Sequence, residues 1–137
     1  MSKIAVYLAG AMTGLTREEM TEWRDDATYM LRVNDFRVWN PVSTLLDGSS
    51  TAKEIVDSNK FMLMHSDIIL AEMINRKDPS IGTICEIVLA GELGKPVIAF
   101  GDSPSLVYPW VDVNVTARLR TLEDAMKYIV VNYGCYV

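Results

Sequence analysis

In the stretch GTICEIVLAGELGKPVIAF, residues 82–100, Glu86 stands among Ile84, Cys85, Ile87, Val88 and Leu89 near the start of a helical pattern. A carboxylate in that apolar setting, at the mouth of a sheet, is suited to act as a nucleophile or an acid; on a solvated helix face it would need no explanation. Just upstream, Ser80, Gly82 and Thr83 fall at a helix N-terminus, where free N–H groups and the helix dipole favour an anion or a sugar hydroxyl. The same residues also read as an N-cap serine and a helix-start glycine. A second glycine-containing turn, GAMTG at 10–14, lacks the third glycine of a dinucleotide fingerprint and the Lys-Ser/Thr of a P-loop. His65 is the one histidine, expected at a surface or helix end. Cys85 and Cys135 form no CxxC pair, so neither a zinc site nor a Ser/His/Asp triad is supported, and no metal or cofactor is expected.

The elements that would position these groups follow from spacing. KIAVYLAG is a β-rich run closing on glycine. In LTREEMTEWRDDATYMLRV, Thr16 is an N-cap with Glu19 three residues on, and Met20, Trp23, Ala27, Met30 and Leu31 recur at helical spacing. FRVWNP reads as a second strand stopped by Pro41, followed by the loop VSTLLDGSS. TAKEIVDSNKFMLMHSD carries Ile55, Asn59, Met62 and Leu63 on one helical face, and DIILAEM is a continuous apolar run of the kind a doubly covered strand shows. After the loop NRKDPSIGT, ICEIVLAGELG predicts a helix ended by Gly94, and KPVIAF another buried strand. VDVNVT is a candidate fifth strand, and TLEDAMKYIVVNYG a terminal helix capped by Thr121 with Glu123 and Asp124 in its first turn.

Strands alternating with helices imply one α/β domain over residues 1–137: a doubly wound parallel sheet in a flavodoxin-like or Rossmann-like three-layer sandwich. A chain of 137 residues, half of them hydrophobic, is sized for one such core. Ligands of these folds sit outside the carboxyl ends of the strands, which directs attention to Tyr7–Gly14, Asn40–Ser43, Glu72–Gly82 and Gly101–Ser105. Eighteen acidic against thirteen basic residues give a net charge of −5, with no basic cluster, so a polynucleotide partner is not expected. No stretch has the length of a signal h-region or membrane span, which points to a cytoplasmic protein without a membrane partner.

Three segments taken together, VYLAGAMTG, SD leading into IILAEM, and SIGTICEIVLAGELGKPVIAF, resemble the nucleoside 2-deoxyribosyltransferase family and the related 2'-deoxynucleoside 5'-phosphate N-hydrolases. The likeness covers most of residues 3–100. It implies that Glu86 is the nucleophile toward C1' of a deoxyribose, that Tyr7 hydrogen-bonds it, and that Gly10, Ala11 and Met12 line the base pocket. Asn59 stands where a sugar-binding aspartate of the family falls. Ser80 stands where the transferases carry an acidic base-recognition residue, and resembles the hydrolases' contact to a 5'-phosphate. WVDVNV resembles a segment that lends an asparagine, here Asn114, to a neighbouring subunit's site, which implies a homo-oligomer; Tyr133 or Tyr136 of the tail covers the pocket or caps the core. The expected substrate is a small nucleoside or nucleotide. Transfer of deoxyribose between bases is the leading expectation, with nucleotide hydrolysis or a non-catalytic sensing module as alternatives.

Overall fold

A computed structural model describes residues 3–44 and 50–134. Its elements are β1 Ala5–Ala9, α1 Arg17–Val33, β2 Arg37–Trp39, α2 Ala52–Met64, β3 Ile68–Glu72, α3 Ile81–Glu92, β4 Val97–Phe100, the short α4 Pro109–Asp112, β5 Ala117–Leu119 and α5 Leu122–Tyr133. All four strand pairings are parallel and the order is β2-β1-β3-β4-β5, the doubly wound sandwich expected.

The strand order dictates the layers. The crossover from β1 to β2 runs one way along the sheet and those from β2 onward run the other, so right-handed connections put α1 on one face and α2 and α3 on the opposite one. Side chains on successive strand residues alternate accordingly. Val6, Leu8, Ile68, Leu70 and Ile98 pack with Trp23, Ala27 and Leu31 of α1 and Ala125, Met126 and Ile129 of α5. Tyr7, Ala9, Ile69, Ala71, Val97 and Ala99 pack with Met62 and Leu63 of α2, Ile87 and Ala90 of α3, and Val111. Because β1, β3 and β4 are covered on both faces, their sequences are apolar runs rather than alternations, with Glu72 only at the last position of β3.

Local signals set the helix ends. Thr16 and Glu19 form a reciprocal capping box at the start of α1, and Thr51 with Glu54 forms a second at α2, readable in TAKE. Ser80 caps α3, which therefore starts before ICEIVLAGELG, and Gly94 at φ 71° follows its C-cap Leu93. His65 is the exposed C-cap of α2. Thr121 caps α5 as its spacing predicts.

The fifth strand is displaced from the expected VDVNVT. Pro109 at the first helical position opens α4 instead, and Val111 and Val115 are buried four residues apart while Val113 between them is 77% exposed: a helical period, not a strand's. The strand comes later, at Ala117–Leu119, with Thr116 exchanging bonds with Val97 on β4: its N–H donates to the Val97 carbonyl at 2.9 Å and its Oγ1 accepts from the Val97 N–H at 3.0 Å.

Gly101, at the carboxyl end of β4, has φ +118°, and a Cβ there would lie 2.3 Å from the Met73 carbonyl oxygen. Gly101→Ala combines left-handed strain with a backbone clash, so it is expected to destabilise the fold by about 2–4 kcal/mol. Urea unfolding beside the wild type measures the change.

Candidate active site

The strand order changes direction between β1 and β3, and the outgoing chains there lead into α1 and α3. Tyr7 is fully buried on the α3 face of β1, and its hydroxyl donates to Oε2 of Glu86. Glu86 lies in the second turn of α3, on the stripe formed by buried Thr83, Ile87 and Ala90, so helical periodicity alone carries the carboxylate to the sheet. It is half-buried.

Burial pushes the Glu86 carboxyl up to about 7, against the Tyr7 hydrogen bond and the positive charge of Arg24, which both pull it down. Tyr7 is held far above the ordinary phenol range by burial, then by the Glu86 charge and their hydrogen bond. The phenol therefore remains a donor and fixes the direction of the carboxylate.

Arg24 is the residue that sequence reading passes over. It is fully buried on the inner face of α1, between Trp23 and Ala27. Its Nη1 donates to the Met20 carbonyl at 2.8 Å and its Nη2 to the Gly10 carbonyl at 3.1 Å, and its guanidinium carbon lies 4.7 Å from the Trp23 ring centroid. The signal was present, since position 24 falls on the stripe of Met20, Trp23, Ala27 and Leu31.

Gly10 is the first residue beyond β1. A Cβ there would sit 2.7 Å from Trp23 Cζ2 and 3.2 Å from Arg24 Nη2, so the close approach of the α1 side chains requires glycine. Ala11 is buried beside it and Met12 half-buried. At the end of β3, Glu72 is 3% exposed and bonded to Arg76 at 2.9 Å. A narrow cleft lined by Glu72, Arg76, Ser80, Ser103 and Ser105 opens beside it.

Ser80 acts as the N-cap of α3: its Oγ accepts from the Thr83 N–H at 3.3 Å and lies 2.6 Å from Thr83 Oγ1. Gly82 is exposed, with open space where a Cβ would be. Asn59 is half-buried on α2, while the Tyr7 hydroxyl gives its hydrogen bond to Glu86. Asn114 donates from Nδ2 to the Trp110 carbonyl at 2.7 Å, and a Cβ on Gly91 would stand 1.7 Å from its Oδ1, so within the chain it is pressed against α3. Tyr133 packs on the core layer of α1 and α5, 6.4 Å from Tyr128. Cys135 and Tyr136 lie outside the described residues. Cys85 is exposed, and among the described residues no three His, Cys, Asp or Glu side chains converge to hold a metal. Among the described residues, no helix is long and apolar enough to cross a membrane.

Residues 6–127 match the model of a family described as nucleoside 2-deoxyribosyltransferase. Among solved structures, the chain resembles 2-deoxyribosyltransferases from Leishmania mexicana (TM-score 0.74, 17% identity, 95% of this chain and 99% of that one) and Bacillus psychrosaccharolyticus (0.73, 18%, 97% and 99%). A CMP N-glycosidase from Clostridium botulinum is also similar (0.65, 17%, 93% and 98%). No curated protein matches the chain in sequence.

The raised Glu86 carboxyl has a consequence for stability. The folded state binds its proton more tightly than the unfolded chain does, so this group's contribution falls as pH rises from the ordinary glutamate range to about 7. Glu86→Gln is therefore expected to stabilise the protein by on the order of 2 kcal/mol above pH 7 and by little near pH 4, where both states are protonated. Thermal melts of both proteins across that range test it.

Proposed function

The chain belongs to the nucleoside 2-deoxyribosyltransferase family, and we propose that it cleaves the N-glycosidic bond of a 2'-deoxynucleoside and passes the deoxyribose to an acceptor base. The observation that carries this reading is the Tyr7 hydroxyl, rising from the middle of β1, fixed on half-buried Glu86. One Oε of Glu86 attacks C1' as the C1'–N bond breaks through an oxocarbenium-like state; the bond's electron pair leaves with the base, which takes up a proton from the medium. A ring nitrogen of an incoming base then attacks C1' of the glycosyl ester and releases Glu86; water in its place gives hydrolysis. Tyr7 withdraws part of its hydrogen bond from the oxygen that forms the ester and returns it when the carboxylate is regenerated.

A second reading has its own support. The cleft that joins Ser80 to Arg76, Ser103 and Ser105 offers hydroxyls and a guanidinium to a 5'-phosphate, which favours hydrolysis of a deoxynucleoside monophosphate. Incubating deoxynucleosides or their monophosphates with a second free base separates the two: base exchange marks the transferase, and base release alone the hydrolase. Thermal stabilisation with neither marks a sensor.

Glu86→Ala is expected to abolish turnover in either branch while circular dichroism stays unchanged; near-wild-type rates would remove the assignment. Since the attacking form is the carboxylate, kcat/KM should rise with pH through about 7. A 2'-hydroxyl withdraws electrons from the developing cation, so deoxyadenosine should exceed adenosine at least about tenfold in kcat/KM, equivalent to roughly 1.4 kcal/mol.

The active form is proposed to be an oligomer in which Asn114 reaches a neighbour's crevice. Support comes from the exposed apolar surface beside it: Val107 (77%), Trp110 (70%) and Val113 (77%), with Tyr108. Trp110→Glu should lower the sedimentation mass and the turnover together; a fully active monomer at assay concentration would rule this out.

A further inference from the structure

We infer that the cavity at the free edge of β2 is a second binding site, separate from Tyr7 and Glu86, and that it takes a small polyphosphate carried on a ring, a nucleoside polyphosphate. It encloses about 450 Å3 between Lys3, Arg32, Phe36, Arg37, Val38 and Trp39, a volume in the range of small-ligand sites. The inference does not depend on the catalytic reading of Glu86.

The turn from α1 into β2 builds the site. Asp35, at φ 70°, donates its N–H to the Arg32 carbonyl at 3.0 Å, and the Phe36 N–H reaches back to the Leu31 carbonyl at 3.0 Å, the paired bonds of a Schellman closure. That reversal sets Arg32, in the last turn of α1, and Arg37, at the start of β2, on one cavity. Lys3 joins them from just before β1, paired with the Asp35 carboxylate at 3.0 Å.

Charge and hydrogen-bonding capacity select the ligand. Arg32 and Arg37 are exposed, and neither side chain bonds or pairs with another described residue, while the carboxylate of the turn is already taken by Lys3. Two guanidiniums are therefore left uncancelled in a chain whose net charge is −5. Their planar forks match phosphate oxygens. β2 ends the strand order, and the Arg37 N–H turns inward to the Ile4 carbonyl at 2.9 Å; since peptide groups alternate along a strand, the Val38 N–H faces outward as a further donor. The remaining wall is apolar. Phe36 is buried, Val38 and Trp39 are half-buried, and Trp39 is backed by Phe61 and His65 at ring-centroid distances of 6.2 and 6.4 Å. Such a wall suits a flat ring and would be left unused by an inorganic anion. Three cations are too short a track for a polynucleotide.

The test titrates 15N-valine-labelled protein with magnesium-free ATP and, separately, with inorganic tripolyphosphate and with adenosine. It follows the Val38 amide, identified by the loss of its signal in Val38→Ile. ATP should shift this signal saturably with a Kd below about 1 mM, tripolyphosphate should bind more weakly, and adenosine should not saturate. The Arg32→Gln, Arg37→Gln double variant should weaken ATP at least about tenfold, and Glu86→Gln should leave the titration unchanged. No saturation at millimolar ATP, undiminished affinity in the double variant, or loss of the shift in Glu86→Gln overturns the inference. Tripolyphosphate binding as tightly as ATP overturns the nucleoside assignment. Should the double variant fail to fold, salt carries the test: ATP affinity of the wild type should fall between about 50 and 500 mM sodium chloride, and an unchanged value overturns the proposal.

Discussion

Parallel pairing of β1 with β3 is the constraint from which the rest of the molecule follows. Val6 to Ala9 stand beside Ile68 to Ala71, so two strand ends with outgoing chains to opposite layers finish side by side. The chain leaving β1 must turn into α1 on one face and that leaving β3 into α3 on the other. A gap between the two departing segments is unavoidable, and both helical layers can send side chains into it. Tyr7 rises from the strand itself, Glu86 comes from α3 and Arg24 from α1.

Such an arrangement brings a half-buried carboxylate onto a buried phenol, with a buried guanidinium bonded to the first residue beyond β1. The carboxylate is the member for which burial is least comfortable, and its proton affinity near neutrality is the sum of three opposed influences. A small change in any of them moves it between its charged and its protonated form. The phenol has no such freedom: its proton is locked by burial and by the adjacent charge. Division of labour between the two oxygens thus arises from depth, the phenol lying fully inside the sheet layer and the carboxylate at its rim.

Much of this was legible in the residues, for physical reasons that differ from place to place. The apolar runs of β1, β3 and β4 announce double coverage, and caps at Thr16 and Thr121 mark helix starts because a hydroxyl satisfies an orphan N–H. Glu86 could be found because it stands among Ile84, Cys85, Ile87, Val88 and Leu89, an apolar setting where a carboxylate is out of place, and because the family resemblance falls on it. The fifth strand was misplaced because Val111, Val113 and Val115 satisfy a two-residue alternation by type, whereas burial follows Pro109 into a helical turn. Arg24 escaped notice because a charged residue is read by default as facing water, and only the tertiary approach of Gly10 gives its guanidinium a place. Asn59 and Asn114 were reached through resemblance; nothing in their local spacing distinguishes them from ordinary helix or turn asparagines.

The two outer strands, β2 and β5, are only three residues long, and each carries an exposed arginine, Arg37 and Arg118. An edge that short offers a foreign strand few free backbone groups, and the charge makes stacking of one molecule's rim against another's unfavourable. Copies of this chain are thereby steered away from open-ended, fibre-forming contacts along the sheet. Encounters between molecules are left to the helical flanks, where closed assemblies of defined size can form.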